Sequence, residues 1–503
     1  MGNSSKLALR TALFLSGASV MVIEILGARI IGPHFGAGLY VWTSLITVAL
    51  IALAFGYWVG GTLADRHPSC AALAVVLVLA AAAVAVIPPV RLPVINWAWG
   101  FGLRGGSLVA SAVLFFPSLF LLGMVSPFAV RLETASVASV GRSAGHLYAI
   151  STAGSVLGAL LTGFYLIPTF RIPTVTMIVA VTLVAAALLV SLPKISRRLA
   201  VMAILCAGGS LALLRGSPQP GELVEQRNSA GADLRVVDFE KVRVLLIDQV
   251  PQSTINKDGR AVEQYIYFIA ARLIMARPHA RDAAVIGLGG GGIVPLLEQE
   301  GMRVEGVDLS PDVIDLAKTR LGLKLPAAQL HAVDGRVYLH ENPGRFDAVV
   351  LDVFNGDRAA FSVLTKEGLQ AAKASLKAGG ILALNTWGID LEKGGPDKLG
   401  AALRNTLQEV FPHVLAIPAV GNLLLFGSDE PITPQRGSVI LQTFDGPLTF
   451  AWLGIPPTTW PEAPVLTDDW NPADMIDARA VEDLRASRRT SLPATLRQAL
   501  AWE

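Results

Sequence analysis

The first 214 residues of this chain are almost free of acidic side chains and consist largely of long apolar runs. They contain three acids, Glu24, Asp65 and Glu133, although the 503-residue chain has 39. Crossing a bilayer takes about 20 apolar residues, and runs of this kind lie at 11–31, 41–63, 70–90, 107–130, 144–167 and 173–192. A shorter seventh run covers 199–214. We therefore predict a multi-pass α-helical bundle of about seven spans, with the lipid bilayer as its partner.

Basic residues in the short loops between these runs predict the orientation of the bundle. If every run is a span, eight lysines and arginines fall on the side of the N-terminus and four on the other. Excess positive charge marks the cytoplasmic side, so the N-terminus of this cell (inner) membrane protein is expected in the cytoplasm. Seven spans then place the remainder of the chain on the periplasmic or exterior face. Because 16 residues reach only about 24 Å of a roughly 30 Å core, a cytoplasmic soluble part is the open alternative.

Glu24 lies in the middle of the first apolar run. An acid at that depth is costly and usually faces the bundle interior or a water-filled cavity. Two interpretations stay open: a structural pair with a cation or helix terminus, and an intramembrane functional residue that handles a substrate. Glycines at four-residue spacing, Gly56 with Gly60 and Gly154 with Gly158, favour close helix packing over a transport path.

Beyond residue 220 the chain has the composition of a water-soluble protein. A linker at 215–221 precedes a small β region and lid helix at 222–280. Alternating strands and helices at 281–430 predict an α/β Rossmann-like domain of the methyltransferase type, and 431–503 is a C-terminal extension. A net charge of +2 without a basic stripe argues against nucleic acid as a partner. The two cysteines and the scattered histidines predict no metal site.

Glycines and acids follow the ends of successive predicted strands between residues 283 and 357. The residues concerned are Gly287, Gly289 and Gly291 after one strand, and Asp308, Asp334 with Gly335, and Asp352 after later ones. Open parallel sheets bind ligands at the carboxyl ends of their strands, where an acid can accept both hydroxyls of a ribose. A single acid there is often only a helix cap, whereas three in register favour a nucleoside site.

These residues resemble the polyamine aminopropyltransferase (spermidine synthase) family, and look most like its bacterial membrane-fused branch. Beyond the strand ends, the resemblance rests on residues 24–29, 61–66, 148–168, 245–254 and 466–469. It implies a transferase that moves a group from a decarboxylated S-adenosylmethionine-type donor, a co-substrate and not a bound cofactor, to an amine or polyamine. Asp352 matches the family's proton acceptor, which takes a proton from the attacking amine.

The resemblance also implies which residues bind the two substrates. The implied nucleoside-binding residues are Gly287, Gly289, Gly291, Asp308, Asp334 and Gly335. The implied acceptor-binding residues are Tyr265, Asn355, Asp357, Asp468 and Asp469. The chain departs from the family at Gly290, where soluble synthases carry an Asp that holds the amine end of the donor. It departs again at Ile266, which replaces a Gln that contacts the polyamine, and at Asn355, which replaces an acid.

Other functions fit the same residues. The site is also compatible with methyl transfer from S-adenosylmethionine, or with different amine chemistry. In a different class, the protein would be a transporter or sensor whose synthase-like domain binds a polyamine or nucleoside without catalysis. Formation of a homodimer is also open.

Overall fold

In the computed structural model the chain forms two compact units, Met1–Pro218 and Gln219–Trp502. The residues described are 3–35, 39–134, 140–191, 222–229, 232–239, 241–247, 250–256, 258–355, 358–359, 362–389, 395–419, 421–452 and 457–473.

The first unit is helical. Its helices are α1 (Asn3–Phe35), α2 (Leu39–Arg66), α3 (Cys70–Ala98), α4 (Gly102–Gly123), α5 (Val125–Glu133), α6 (Val140–Leu161) and α7 (Ile172–Ser191). A π-helical turn, Thr162–Leu166, and a short turn, Ile167–Thr169, follow α6. Gly102, with a φ of 72°, reverses the chain so that α3 and α4 pack against each other.

Five segments of the described chain are long and apolar enough to cross a membrane. They are Ser5–Phe35, Leu39–Arg66, Cys70–Glu133, Val140–Thr169 and Ile172–Ser191. The six longer runs predicted from the sequence fall on these helices. The seventh run, 199–214, lies outside the described residues, so a bundle of seven spans stays a prediction.

Close helix packing explains the paired glycines of the first unit. A β-carbon at Gly154 would collide with the carbonyl oxygen of Phe14 on α1, and one at Gly56 would collide with that of Phe120 on α4. The glycine one turn further along each helix is crowded in the same way. The packing interpretation is therefore confirmed, since only glycine lets these backbones approach so closely.

Arginines neutralise two of the three acids in this unit. Arg10 Nε donates to Glu133 at 3.1 Å, and Arg131 Nε lies 3.1 Å from a carboxylate oxygen of Asp65. Glu24 lies part-buried on α1. Its assignment as an intramembrane functional residue stays a prediction.

The second unit begins with a small antiparallel sheet of four strands in sequential order. The strands are β1 (Glu222–Asn228), β2 (Asp233–Asp238), β3 (Val242–Ile247) and β4 (Val250–Asn256). Alternating apolar residues at 234–238 and 242–248 predict a pair of strands, and the pairing of β2 with β3 confirms it. Leu234, Val236 and Leu245 point to one face of this sheet and pack on Leu316 of the neighbouring domain.

A seven-stranded, mainly parallel sheet follows. Its strands are β5 (Asp282–Ile286), β6 (Arg303–Asp308), β7 (Leu330–Ala332), β8 (Phe346–Leu351), β11 (Leu376–Thr386), β12 (His413–Ala419) and β13 (Asn422–Ser428), and a two-residue ribbon, β9 (Phe354–Asn355) with β10 (Arg358–Ala359), lies outside it. The strand order is β12-β13-β11-β8-β5-β6-β7, with β13 antiparallel to both of its neighbours. Alternate residues of β5 enter separate cores, Ala283 and Val285 on one face and Ala284 and Ile286 on the other. Layers on both faces are typical of an α/β domain.

Helices connect these strands. They are α8 (Gln264–Ala276), α9 (Val294–Gln299), α10 (Pro311–Thr319), α11 (Gly335–Glu341), α12 (Lys366–Ser375) and α13 (Lys398–Gln408). Ser310 followed by Pro311 predicts a helix start, and the Ser310 side chain accepts the Val313 N–H as the cap of α10. Periodicity predicts the lid helix from residue 261, but it begins at Gln264 because Ala261 forms a β-bridge with Ile255.

A hairpin that the sequence did not predict lies in the C-terminal extension. Its strands are β14 (Ser438–Thr443) and β15 (Gly446–Ala451). Phe450 stacks on Tyr267 and meets Phe268 edge-on, so the hairpin packs against α8.

Candidate active site

The loop after β5 touches the residue that follows β8. Gly287 has a φ of 83°, and a β-carbon there would collide with the carbonyl oxygen of Asp352. Gly289 and Gly291 also have positive φ values, 51° and 73°. These glycines turn the chain tightly and hold the loop against the start of the segment after β8, because β5 and β8 are parallel neighbours.

Asp308 joins this loop from the end of β6. One of its carboxylate oxygens accepts the Ser310 N–H at 2.9 Å, and the other accepts the Gly289 N–H at 3.3 Å. Burial raises the pKa of Asp308, while these backbone hydrogen bonds act to lower it. The structure thus brings Asp308 and the glycine loop together, as a nucleoside site requires. Ribose binding by Asp308 stays a prediction.

Asp334 serves as the N-cap of α11. Its Oδ1 accepts the N–H groups of Arg336 at 2.9 Å and Val337 at 3.1 Å. The next residue, Gly335, packs so closely that a β-carbon would collide with Ile286 on β5. The structural role expected of a single strand-end acid is therefore present at Asp334, and its contact with adenine stays a prediction.

Asp352 is held by two hydrogen-bond donors. Tyr265 donates its hydroxyl to Oδ2 at 2.8 Å, and Asn385 donates from Nδ2 to Oδ1 at 2.8 Å. Burial raises the pKa of Asp352, and the two hydrogen bonds lower it. The side chain is part-buried, so the arrangement fixes a carboxylate in one orientation and leaves part of it accessible to a ligand.

Two asparagines that sequence reasoning missed orient this acid. Asn422 Nδ2 donates to Asn385 Oδ1 at 2.7 Å, which turns the amino group of Asn385 toward Asp352. Asn385 lies near the end of β11, and a polar residue at the end of a parallel strand was a usable signal. Asn422 begins the antiparallel β13, and nothing in the local sequence marks it.

Glu263 is a second acid at this site that the sequence analysis missed. It stands immediately before α8, and its Oε1 accepts the Thr254 N–H from β4 at 2.7 Å. Burial raises the pKa of Glu263 to about 7, and the negative charge of Asp352 acts in the same direction. The only sequence signal was an acid two residues before Tyr265.

Strand β4 covers the glycine loop at Gly290. The Gly290 N–H donates to Ser253 Oγ at 2.8 Å, and a β-carbon at Gly290 would lie 2.8 Å from Ser253 Cβ. That separation is too short for two carbon atoms. The chain therefore has no room for a side chain where, by the resemblance, soluble synthases carry an Asp.

The remaining predicted acceptor-binding residues lie in several places. Asp468 forms a two-pronged ion pair with Arg336, at 2.8 and 2.6 Å, and accepts the Thr365 hydroxyl at 2.7 Å. Asp469 is exposed beside it. Asn355 lies in β9, and Asp357 falls outside the described residues. Of this set, Tyr265 is the residue with a described contact to Asp352.

Removing the Tyr265 hydroxyl is expected to shift the pH dependence of turnover. Because its hydrogen bond lowers the pKa of Asp352, Tyr265→Phe raises that pKa, and the acid limb of kcat/KM moves to higher pH. Tyr267→Phe is the matched control, since Tyr267 donates to the Ala261 carbonyl. An acid limb that stays in place in Tyr265→Phe would show that the hydroxyl does not tune the base.

Sequence identity to curated proteins shows which family the chain belongs to. The chain is 31% identical over 222 residues to the polyamine aminopropyltransferase of Nitrosomonas europaea, covering 39% of this chain and 68% of that protein. The chain belongs to the polyamine aminopropyltransferase family. It is a transferase of that type, and the predicted resemblance is confirmed.

Further members of the family are less similar. Polyamine aminopropyltransferase 2 of Pseudomonas aeruginosa is 28% identical, over 34% of this chain and 50% of that protein. Spermidine synthase of Schizosaccharomyces pombe is 25% identical, over 34% and 57%. The chain thus spans about half the length of these two relatives. No family model matches the chain.

Solved structures include spermidine synthases. That of Thermotoga maritima aligns with a TM-score of 0.35 and 19% identity, over 42% of this chain and 75% of the synthase. A spermidine synthase in complex with the transition state analogue AdoDATO aligns with the same TM-score and 18% identity, over 42% and 74%.

Proposed function

We propose that this polyamine aminopropyltransferase family member is a membrane-bound enzyme that transfers an aminopropyl group from a decarboxylated S-adenosylmethionine-type donor to an amine. The observation that carries the proposal is Asp352, a part-buried carboxylate with donors on both oxygens, beside the glycine loop and Asp308. Membership of the family supports the type of reaction, and the contacts of Asp352 support its role as the base.

The reaction needs a base next to the attacking nitrogen. An amine is protonated near neutral pH and has no free electron pair to attack with. Asp352 takes one proton from the ammonium group, and the freed pair attacks the carbon beside the donor's sulfonium. A carbon–nitrogen bond forms as the carbon–sulfur bond breaks, so methylthioadenosine leaves with the electron pair of that bond. The product is a substituted ammonium ion.

The site's charge suits these substrates. Asp308 and Asp352 border the glycine loop at the ends of β6 and β8. Glu263 lies at the start of α8, where the charge of Asp352 acts on it. Both the sulfonium donor and the ammonium acceptor are cations, and clustered carboxylates raise their local concentration. Burial keeps these interactions strong, because the local dielectric constant is lower than that of water.

The test is a product assay on the full-length protein in detergent. The protein is incubated with decarboxylated S-adenosylmethionine and a panel of primary amines, and mass spectrometry measures both products. We expect methylthioadenosine together with an amine carrying one aminopropyl group. Binding of both ligands without product would support the transporter or sensor function instead.

The Gly290–Ser253 contact supports a second candidate, methyl transfer. Ser253 on β4 occupies the space where, by the resemblance, soluble synthases carry an Asp that binds the amine end of the donor. The site therefore lacks that contact with an aminopropyl group. S-adenosylmethionine in the same assay distinguishes the two reactions by the mass of the transferred group. A methylated amine formed with adenosylhomocysteine would favour this candidate.

We further propose that the first unit anchors the enzyme in the cell membrane and that the second faces the periplasm or exterior. The five apolar segments support the anchor, and the loop charges support a cytoplasmic N-terminus. The seventh span predicted from the sequence at 199–214 then places the second unit on the opposite face. Ser438 and Glu341 are exposed, so cysteines placed there, in a variant without Cys70 and Cys206, should react with a membrane-impermeant maleimide on intact cells. Reaction only after permeabilisation would place the domain in the cytoplasm.

A further inference from the structure

Glu263 has one carboxylate oxygen that is held by the backbone and one that is buried without a hydrogen-bond partner in the described part of the chain. Its Oε2 atom is buried and has no hydrogen-bond partner among the described residues. Its other oxygen is fixed by the Thr254 N–H at 2.7 Å. A buried carboxylate oxygen without a partner is energetically costly, so the fold gains little by placing an acid there.

The position of Glu263 links three parts of the site. Thr254, which holds it, follows Ser253, the residue that covers the glycine loop. Tyr265, two residues after Glu263, donates to Asp352. The charge of Asp352 acts on Glu263 directly, since it raises the pKa of that carboxyl. Glu263 and Asp352 are therefore neighbours in one electrostatic environment.

The two side chains suit a ligand that both carboxylates can share. An ammonium group has three N–H donors and no acceptor. Asp352 needs one of these protons for the reaction, which leaves the others to be accepted elsewhere. Ile266 offers no acceptor, because its side chain is apolar and buried. Glu263 lies at the N-terminus of α8, next to Tyr265 and Ile266, and its Oε2 is a free acceptor among the described residues.

We propose that Glu263 is the second carboxylate of the amine site, and that its Oε2 accepts an N–H of the acceptor's ammonium group while Asp352 takes the reacting proton. This inference rests on the proposed function and adds a specificity-determining residue to it. Before binding, about half of the Glu263 carboxyl groups are protonated near pH 7, because the pKa of Glu263 is about 7. When the cation enters, the carboxyl releases its proton to solvent and forms a charge-assisted hydrogen bond.

Other titratable groups face Glu263, and each is a possible source of the proton that is released when the amine binds. Asp352 lies at the end of β8, and Tyr265 and Tyr267 lie on α8. Burial raises the pKa of Tyr267 to about 12, so that tyrosine stays neutral near pH 7. Strand β4 contributes the Thr254 backbone N–H. Asp352 titrates as well, so the experiment compares variants in which Asp352 is retained.

Glu263→Gln separates binding from structure. The glutamine keeps the size of the side chain, and its carbonyl oxygen can still accept the Thr254 N–H, but the charge is gone. Calorimetry measures binding of 1,4-diaminobutane to full-length protein saturated with methylthioadenosine, in two buffers with different ionisation enthalpies. We expect the variant to bind the diamine about 10- to 100-fold more weakly and to lose the proton release. Glu298→Gln, on the exposed face of α9, is the matched control.

The other readouts keep the outcomes distinct. Methylthioadenosine affinity should be unchanged in Glu263→Gln, and the melting temperature should not fall, because the substitution removes a costly buried charge. Wild-type diamine affinity in that variant would overturn the role of Glu263 while leaving the proposed function standing. If the wild type binds methylthioadenosine but no diamine, the role of Glu263 is overturned as well. No binding of methylthioadenosine to the wild type would refute the proposed function itself.

Discussion

Replacing Asp352 with asparagine is expected to lower kcat by about 10²–10⁴-fold, the range typical of a lost general base. The amide cannot take a proton from the amine at neutral pH. The side chain keeps its shape, and its new amino group can donate to the Tyr265 hydroxyl oxygen while its carbonyl still accepts from Asn385. Folding should therefore survive, so the loss appears in turnover and not in melting temperature.

Single-turnover kinetics with bound donor measures this effect most cleanly. Asp258→Asn is a suitable control, because Asp258 lies exposed in the turn after β4. Turnover in Asp352→Asn equal to that of the wild type would exclude Asp352 as the proton acceptor. Loss of activity together with a collapse in melting temperature would instead point to a structural role.

Asp308→Ala is expected to weaken methylthioadenosine binding by about 1.5–3 kcal/mol, or roughly 10- to 150-fold, because one charge-assisted contact to the ribose is removed. Calorimetry on the full-length protein measures the change. Asp308 also accepts the Gly289 and Ser310 N–H groups, so Asp308→Asn is the necessary companion. It retains one acceptor for the loop and should lose less affinity than the alanine variant.

A nucleoside affinity that is the same in all three proteins would contradict the assignment of Asp308. A fall in affinity that follows a fall in melting temperature would show that Asp308 only supports the glycine loop. The melting temperature of each variant, measured without ligand, distinguishes these cases.

Strands and helices with a clear apolar pattern in their own residues could be predicted from the sequence. β5 and β8 are continuous apolar runs, and each is followed by glycine or aspartate, so both strands and the ends at which they meet could be inferred. The register between them then brings Gly287 to Asp352 without further information. The cap at Ser310 was equally local, since a serine before proline is a helix start signal.

Features that depend on tertiary contacts could not be predicted. β1 and the hairpin β14–β15 have weak local patterns and are fixed by partners: β1 pairs with β2, and the hairpin packs on α8. The close approach of Ser253 to Gly290 joins residues 37 positions apart. Nothing near either residue in the sequence reports that contact.

The candidate site shows the same division. Asp352 is identified from its strand end and its family match, but its orientation comes from Asn385 and Asn422, which belong to a separate pair of strands. The strand-end pattern predicts Asp334 as part of a ligand site, and its oxygen is occupied by the N-terminus of α11. Glu263 carries no motif, and its significance follows only from its buried, unsatisfied oxygen.

The stoichiometry of products is the most direct test of aminopropyl transfer. Full-length protein is given decarboxylated S-adenosylmethionine labelled in its propyl carbons, together with an amine, and both products are counted by mass spectrometry. We expect one methylthioadenosine for each labelled, substituted amine, with both products almost absent in Asp352→Asn. Methylthioadenosine formed at the same rate without any amine, or an amine product without the label, would contradict aminopropyl transfer to the amine.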